Sequence, residues 1–240
     1  MMKSKDFIAK LQDIVNNYKT VYMLGCFGHV VNENIIASKA KQLPNWYTAA
    51  KQAELRKLIG KGYFGFDCVN LIKGVLWGWS GDPSSPYGGA RYASNGVPDT
   101  NADGMIKLCK DVSTDFSNIL PGEAVWIPGH IGVYIGNGMA VECTPAWDNK
   151  VQITACLNVK NGVPGRRWDK HGKLPWVEYE LQPVQKDWKD ILRLVTDSPD
   201  KWLTAIDVAV SAAKADGDLG PLEIFKFLPD LILKIYNSPR

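Results

Sequence analysis

The sequence predicts an α+β fold with a small all-helical appendage at its C-terminus. Three observations predict it. Helical periodicity dominates the first 78 residues, four short alternating segments lie between residues 123 and 156, and residues 198–240 return to helical periodicity alone. At 240 residues, with 45% hydrophobic and 22% charged side chains, the chain holds enough apolar material for one packed domain plus the appendage.

Taken in order, residues 4–18 read as an amphipathic helix and "TVYMLG" as a short extended segment ending in glycine. Residues 34–59 read as helical on both sides of Pro44, which must break or kink the pattern because it lacks an N–H. The next helix covers residues 68–78. "SGDPSSPYGGARYASNGVPDTNADG", residues 80–104, is rich in Gly, Pro, Asn and Ser and reads as a long loop, a length often reserved for function. "EAVWI", "HIGVYIG", "MAVECT" and "KVQITAC" follow as strands, and "GRRW" and "WVEYEL" flank a further loop. These elements make one domain over residues 1–182. A linker covers 183–197. In 198–240, Ser198 is an N-cap with Pro199 at the first helical position; Leu203, Ile206, Val210 and Ala213 form one apolar face and Leu228, Leu231, Ile232 and Ile235 another. An appendage of this size lacks a secure core of its own, so it is expected to dock on something.

Composition excludes several functions. The five cysteines are odd in number and without paired spacing, so neither a disulfide framework nor a zinc site is expected. "DGDLGPLE" has Pro221 where a calcium loop needs glycine and Phe227 where it needs glutamate, so no metal and no other cofactor is expected. No uncharged apolar run is long enough for a membrane span. The N-terminus has no apolar signal core, which predicts synthesis in a cytoplasm. Residues 1–60 carry nine Lys/Arg against four acids, but the charges are scattered along helix faces and no recognition motif accompanies them, so no nucleic-acid partner is expected.

The chemistry gathers around "GYFGFDCVNLIKG". Cys68 opens a helix, where unpaired N–H groups and the helix dipole favour a thiolate. "PGHIGVYIGNG" supplies His130 at the start of a strand, and a thiolate–imidazolium pair would lower the thiol to a pKa of roughly 3–7. The histidine needs an orienting partner. Glu142 lies twelve residues on, across the hairpin. A two-residue Asn137-Gly138 turn pairs residues whose numbers sum to 275 and puts Val141 and Cys143, not Glu142, on the face of His130. A three-residue Gly136-Asn137-Gly138 turn, or a bulge, makes the sum 274 and brings Glu142 diagonally next to His130, with the small Gly132 leaving room. Cys26 near His29, and the strand residues Cys143 and Cys156, read as structural. His171 reads as a turn residue with a possible view of substrate, and Trp147 and Trp168 as loop aromatics suited to stacking on sugars.

"TVYMLG", "GFDCVNLI", "PGEAVWIPGHIGVYIGNG" and "AVEC", in that order, resemble the NlpC-type cell-wall cysteine peptidases and the related CHAP amidohydrolases over roughly residues 15–182. The resemblance implies a papain-like fold with the Cys helix packed on an antiparallel sheet. It also implies hydrolysis of an amide bond in bacterial peptidoglycan by Cys68, His130 and Glu142, with the Cys68 N–H as an oxyanion donor. Tyr22 matches the family tyrosine near the nucleophile. Asp67 matches the acid that can face the amine of a stem peptide and is equally at home as a helix N-cap. Trp147 joins them as a substrate-binding candidate. Val69-Asn70 stands where Ser-Gly is usual in NlpC-type proteins, a glutamate third residue is closer to the CHAP habit, and residues 26–61 read as an insertion beside the cleft. The whole resembles a phage endolysin that acts on the wall after release, cutting the stem as a D,L-endopeptidase or, alternatively, as an N-acetylmuramoyl-L-alanine amidase; a wall-binding module on a dead hydrolase is the remote alternative. Residues 198–240 would then target the wall or form a homo-oligomer.

Overall fold

A two-residue strand, β1 (Met2–Lys3), leads into α1 (Ser4–Asn17), which buries Phe7, Leu11 and Ile14 on one stripe. The chain continues through β2 (Lys19–Tyr22), β3 (Phe27–Val30), α2 (Glu33–Gln42), α3 (Ala49–Arg56), β4 (Tyr63–Phe66) and α4 (Cys68–Leu76). After a long loop come α5 (Ala102–Leu108), β5 (Lys110–Ser113), a 3-10 turn at Phe116–Asn118 and β6 (Ala124–Ile127). Next are β7 (His130–Gly136), β8 (Met139–Thr144), β9 (Lys150–Cys156), β10 (Gly165–Arg166), β11 (Lys170–Lys173) and β12 (Val177–Glu178). This computed structural model describes residues 1–157 and 163–179; the expected linker at 183–197 and the appendage at 198–240 lie outside the described residues.

The result is a mixed α and β architecture. Seven strands in the order β10-β9-β8-β7-β6-β11-β5 make the main sheet, antiparallel except for β9 and β10. A second sheet has the order β2-β4-β3, with β2 and β4 parallel. Helix α4 packs against β7, β8 and β3. Each of its nine residues is buried, including Cys68 at the first position, so it is the central element of the core. Pro44 separates α2 from α3, as its missing N–H requires.

The structure adds to the sequence reading in several places and corrects it at His171. Residues 26–61 contribute β3 to the second sheet, and Ile36, Tyr47 and Leu55 from this segment build a core of their own with Val21, Met23, Cys26 and Val31. Helix α5 and strands β3, β4 and β5 were not expected, because each is short and lacks a clear period. His171 does not sit in a turn. It lies on β11, buried, its Nδ1 against the Glu123 carboxylate and its Nε2 donating to the Asp115 carbonyl at 2.8 Å.

The loop after α4 is tied to that helix. Lys73, 2% exposed, reaches the Asp99 carboxylate and donates to the Thr100 carbonyl at 2.7 Å. Trp77 Nε1 donates to the Val97 carbonyl at 2.9 Å and Asn95 Nδ2 to the Leu76 carbonyl at 2.8 Å. Among the described residues, no helix is long and apolar enough to cross a membrane.

Gly74 lets α4 approach β3 closely: a Cβ there would stand 2.6 Å from the Phe27 carbonyl oxygen, a backbone atom that cannot rotate away. Gly74→Ala is therefore expected to destabilise the fold by about 1–3 kcal/mol despite the better helix propensity of alanine. Chemical denaturation checks this, and an unchanged or raised midpoint would show that α4 and β3 can part at no cost.

Candidate active site

Asp67 starts α4. One of its oxygens accepts the Asn70 N–H at 2.8 Å, the usual N-cap bond, while the other accepts Asn70 Nδ2 and the Gly25 N–H, both at 2.7 Å. The carboxyl group is buried, and burial raises its pKa against the pull of these donors. With both oxygens engaged inside the protein, Asp67 positions Cys68.

Cys68 follows at the helix start, 7% exposed. Its sulfur lies against the backbone N–H groups of Ile131, Val69 and Cys68 itself, which favour a thiolate. Burial, and after it the neighbouring Asp67, outweigh them and push the thiol up to about 12. The direction is opposite to the low-pKa thiolate expected from the helix start and favours a neutral thiol. The helix terminus supplies the donors, but desolvation is the larger effect.

Ile131 is the residue after His130, so the sulfur meets β7 one peptide from the imidazole. The hairpin reaches its register by a mixed route. Asn137 and Gly138, both at positive φ, make a two-residue turn between Gly136 and Met139. A shift between Tyr134 and Gly136 then inserts one residue, and the ladder continues as Tyr134↔Ala140 and Val133↔Val141, the pairs that sum to 274. Bulge and short turn together do what the three-residue loop was expected to do. His130 Nε2 and Glu142 Oε2 stand 2.6 Å apart, which leaves Nδ1 as the other ring nitrogen. A Cβ on Gly132 would come within 3.0 Å of the Val141 carbonyl oxygen and 3.3 Å of the Glu142 Cβ.

Glu142 is 0% exposed. Besides His130 it has Thr154, whose hydroxyl donates to Oε1 at 2.7 Å, and Arg166, whose Nε donates to Oε2 at 3.1 Å. Burial raises the carboxyl, but His130, Thr154 and Arg166 together hold it below its ordinary value. Trp168 stacks on the imidazole, with centroids 5.6 Å apart and planes within 10°. It is 2% exposed, so it backs the histidine instead of offering the exposed sugar platform expected of it. Trp147 is 46% exposed, in a left-handed conformation at φ 56°, with the Arg166 guanidinium 5.2 Å from its ring.

Tyr22 closes β2, buried, with its ring 5.8 Å from that of Trp46. Its phenol is raised first by burial and then by Cys68, Asp67 and Cys143, which marks it as a neighbour of the thiol. Cys143 points its sulfur at the Phe66 carbonyl at 3.3 Å, and Cys26 is fully buried beside Tyr47. The structure thus brings Tyr22, Asp67 and Cys68 into one group and His130 and Glu142 into a second, the two meeting at the first residues of β7. Thr154 and Arg166 belong to the second group and were missed by sequence reasoning. Thr154 lies twelve residues beyond Glu142, and Arg166 twelve beyond Thr154.

A neutral thiol has a measurable signature. Because its pKa is raised, the thiolate fraction grows about tenfold per pH unit below that value. Alkylation of the Cys68 peptide by iodoacetamide, followed by mass spectrometry, is expected to rise continuously from pH 7 to pH 10. A plateau beginning below pH 8 would show a preformed ion pair instead.

No protein-family model matches this sequence, and no curated protein matches it. Among solved structures, NlpC2 from Trichomonas vaginalis is similar at 13% identity and a TM-score of 0.38, over 71% of this chain and 46% of that one. NlpC1 from the same organism is similar at 14% identity and a TM-score of 0.36, over 70% of this chain and 44% of that one. The chain therefore spans less than half the length of either. A likeness of that degree leaves function to be argued from the site itself.

Proposed function

We propose that this protein is a cysteine amidohydrolase that cleaves an amide bond in the stem peptide of bacterial peptidoglycan. The observation that carries the reading is the His130–Glu142 bond of 2.6 Å, formed one peptide from the N–H that faces the Cys68 sulfur. A carboxylate on Nε2 fixes the tautomer with the proton on that nitrogen and presents the Nδ1 lone pair as a base.

In this reading Nδ1 takes the thiol proton as sulfur attacks the amide carbonyl carbon. The oxyanion is met by the Cys68 N–H, with the Tyr22 hydroxyl nearby as a second donor. Collapse of the tetrahedral intermediate breaks the C–N bond, and the imidazolium returns its proton to the leaving amine. Water, deprotonated by Nδ1, then attacks the thioester, releases the carboxylic acid and restores the thiol. A thiol raised to about 12 fits activation by a base during attack better than a standing thiolate. Trp147, exposed beside Arg166, is the aromatic on which substrate would rest.

The choice of bond stays between the two amides of the stem. The endopeptidase reading took Asp67 as the partner of a free stem amine, but its oxygens are held by Asn70 and Gly25. That observation brings the amidase reading level with it. A lysin made in a host cytoplasm and acting on the wall after release is the setting we propose for either.

Cys68→Ala and His130→Ala are each expected to reduce wall lysis by roughly four to six orders of magnitude, to background, the first with an unchanged thermal midpoint and the second with a lowered one, because it takes a partner from the buried Glu142 carboxylate. Glu142→Gln is expected to lose about a hundredfold. Its amide oxygen can still accept from Nε2 while its NH2 donates to the Thr154 hydroxyl. Turbidity loss of purified walls reads the rates, and mass spectrometry of the digest reads the bond. New amino termini on the third stem residue mean endopeptidase; free L-Ala termini on intact stems mean amidase. Walls bound but undigested by the unaltered protein would leave only a wall-binding module.

A further inference from the structure

We infer that Arg166 is a positioning residue of this site, holding the Glu142 carboxylate against His130 by sharing one of its oxygens. Its importance to turnover rests on the reading above; its hold on the carboxylate does not. Glu142 has no exposed surface, so every lone pair must be met from within. His130 and Arg166 share Oε2, at 2.6 and 3.1 Å, and Thr154 takes Oε1 at 2.7 Å. The guanidinium is fixed in turn by two indoles, 5.2 Å from the Trp147 ring and 5.6 Å from that of Trp168. Trp168 is the same ring that stacks on His130. One side chain therefore touches both the carboxylate that orients the imidazole and the indole that backs it.

A lysine could not replace it fully. An ammonium is a point charge without a planar face to lie against two rings, and it has no fork to span carboxylate and neighbour. Arg166 Nη2 also lies 3.5 Å from the Thr144 hydroxyl, on the strand that carries Glu142.

The charge effect has a definite sign. Arg166 is one of the groups that hold the Glu142 carboxyl below its ordinary value. Removing the guanidinium leaves the imidazole as the sole counter-cation, so the pair releases its proton at higher pH. Other ionisable groups on the elements packed around the pair include Lys73 on α4 with Cys68 at its first position and Asp67 capping it, Tyr134 on β7, Cys143 on β8, and Cys156 on β9 with the Asp148–Lys150 pair at its start. None of them is altered by the substitutions below.

Arg166→Met keeps an apolar stem between the indoles and removes the charge; Arg166→Lys keeps the charge and loses the fork. In the full chain, the acid limb of the lysis rate against pH is expected to move up by about one unit in the methionine variant. In the lysine variant it stays near its original position while turnover falls about tenfold. The same displacement is read without activity from the His130 ring protons by NMR, assigned by their loss in His130→Gln. If walls prove not to be the substrate, this titration still decides the matter. An unmoved titration in Arg166→Met overturns the inference, whatever the unaltered protein hydrolyses. Should methionine leave no folded protein, Arg166→Gln, uncharged but able to donate to Glu142, is read the same way.

Discussion

A carboxylate without solvent must be compensated by the protein, and Glu142 is the group on which this structure turns. Burying an ion costs several kcal/mol even after the surroundings relax. Here the compensation wins, since the carboxyl is held below its ordinary value against its own desolvation. Three strands have to deliver the compensation together: β7 brings His130, β9 brings Thr154 and β10 brings Arg166. Their registers are therefore not free. A one-residue slip of β8 would turn Glu142 to the opposite face and bring Val141 or Cys143 into its place. The bulge near Gly136 and the bare Cα of Gly132 are local features that serve this requirement.

The thiol side of the site is governed by the opposite balance. Cys68, Tyr22, Asp67 and Cys143 are all acids in a buried neighbourhood; Asp67 makes ionisation of the other three harder, and Cys68 does the same to Tyr22 and Cys143. The N–H groups at the start of α4 and on Ile131 pull the other way and do not prevail. Burial that gives a packed helix start thus weighs against a resting thiolate. The two halves of the site are opposite in balance: in one the surroundings favour the charged group, and in the other burial weighs against it.

Most of the scaffold was legible in the sequence because its elements repeat with a clear period. The alternation in "HIGVYIG" and "KVQITAC", the stripe of Phe7, Leu11 and Ile14, and the break at Pro44 each have one simple structural solution. The pairing of His130 with Glu142 was legible only as a condition on the turn. Asn137-Gly138 favours two residues, which alone gives the wrong face; the bulge that corrects it lies in "YIG", where no residue preference announces it. Thr154 looks like any strand threonine. Arg166 sits on a two-residue strand, too short to show a period, and its partner is set by the curl of the sheet. The raised thiol was hidden for a related reason. A helix start is visible in a sequence, but the depth at which it is buried is not.

Among the described residues there is a second buried His–Glu pair, and its geometry contrasts with that of His130 and Glu142. His171 faces the Glu123 carboxylate with Nδ1 and gives its other nitrogen to the Asp115 carbonyl, and its side chain is 5% exposed. Both nitrogens are committed to fixed partners, so the ring ties β11 and β6 to the segment before the 3-10 turn. His130 has the same kind of carboxylate partner but a side chain 14% exposed, at the first residue of its strand. Its Nδ1 carries no such backbone tether, and the next residue along the strand, Ile131, is the one whose N–H favours a Cys68 thiolate. A carboxylate alone makes a histidine stable. The difference between the two rings lies in the second nitrogen: that of His171 is tied to a carbonyl, and that of His130, at a strand end, has no such bond among the described residues.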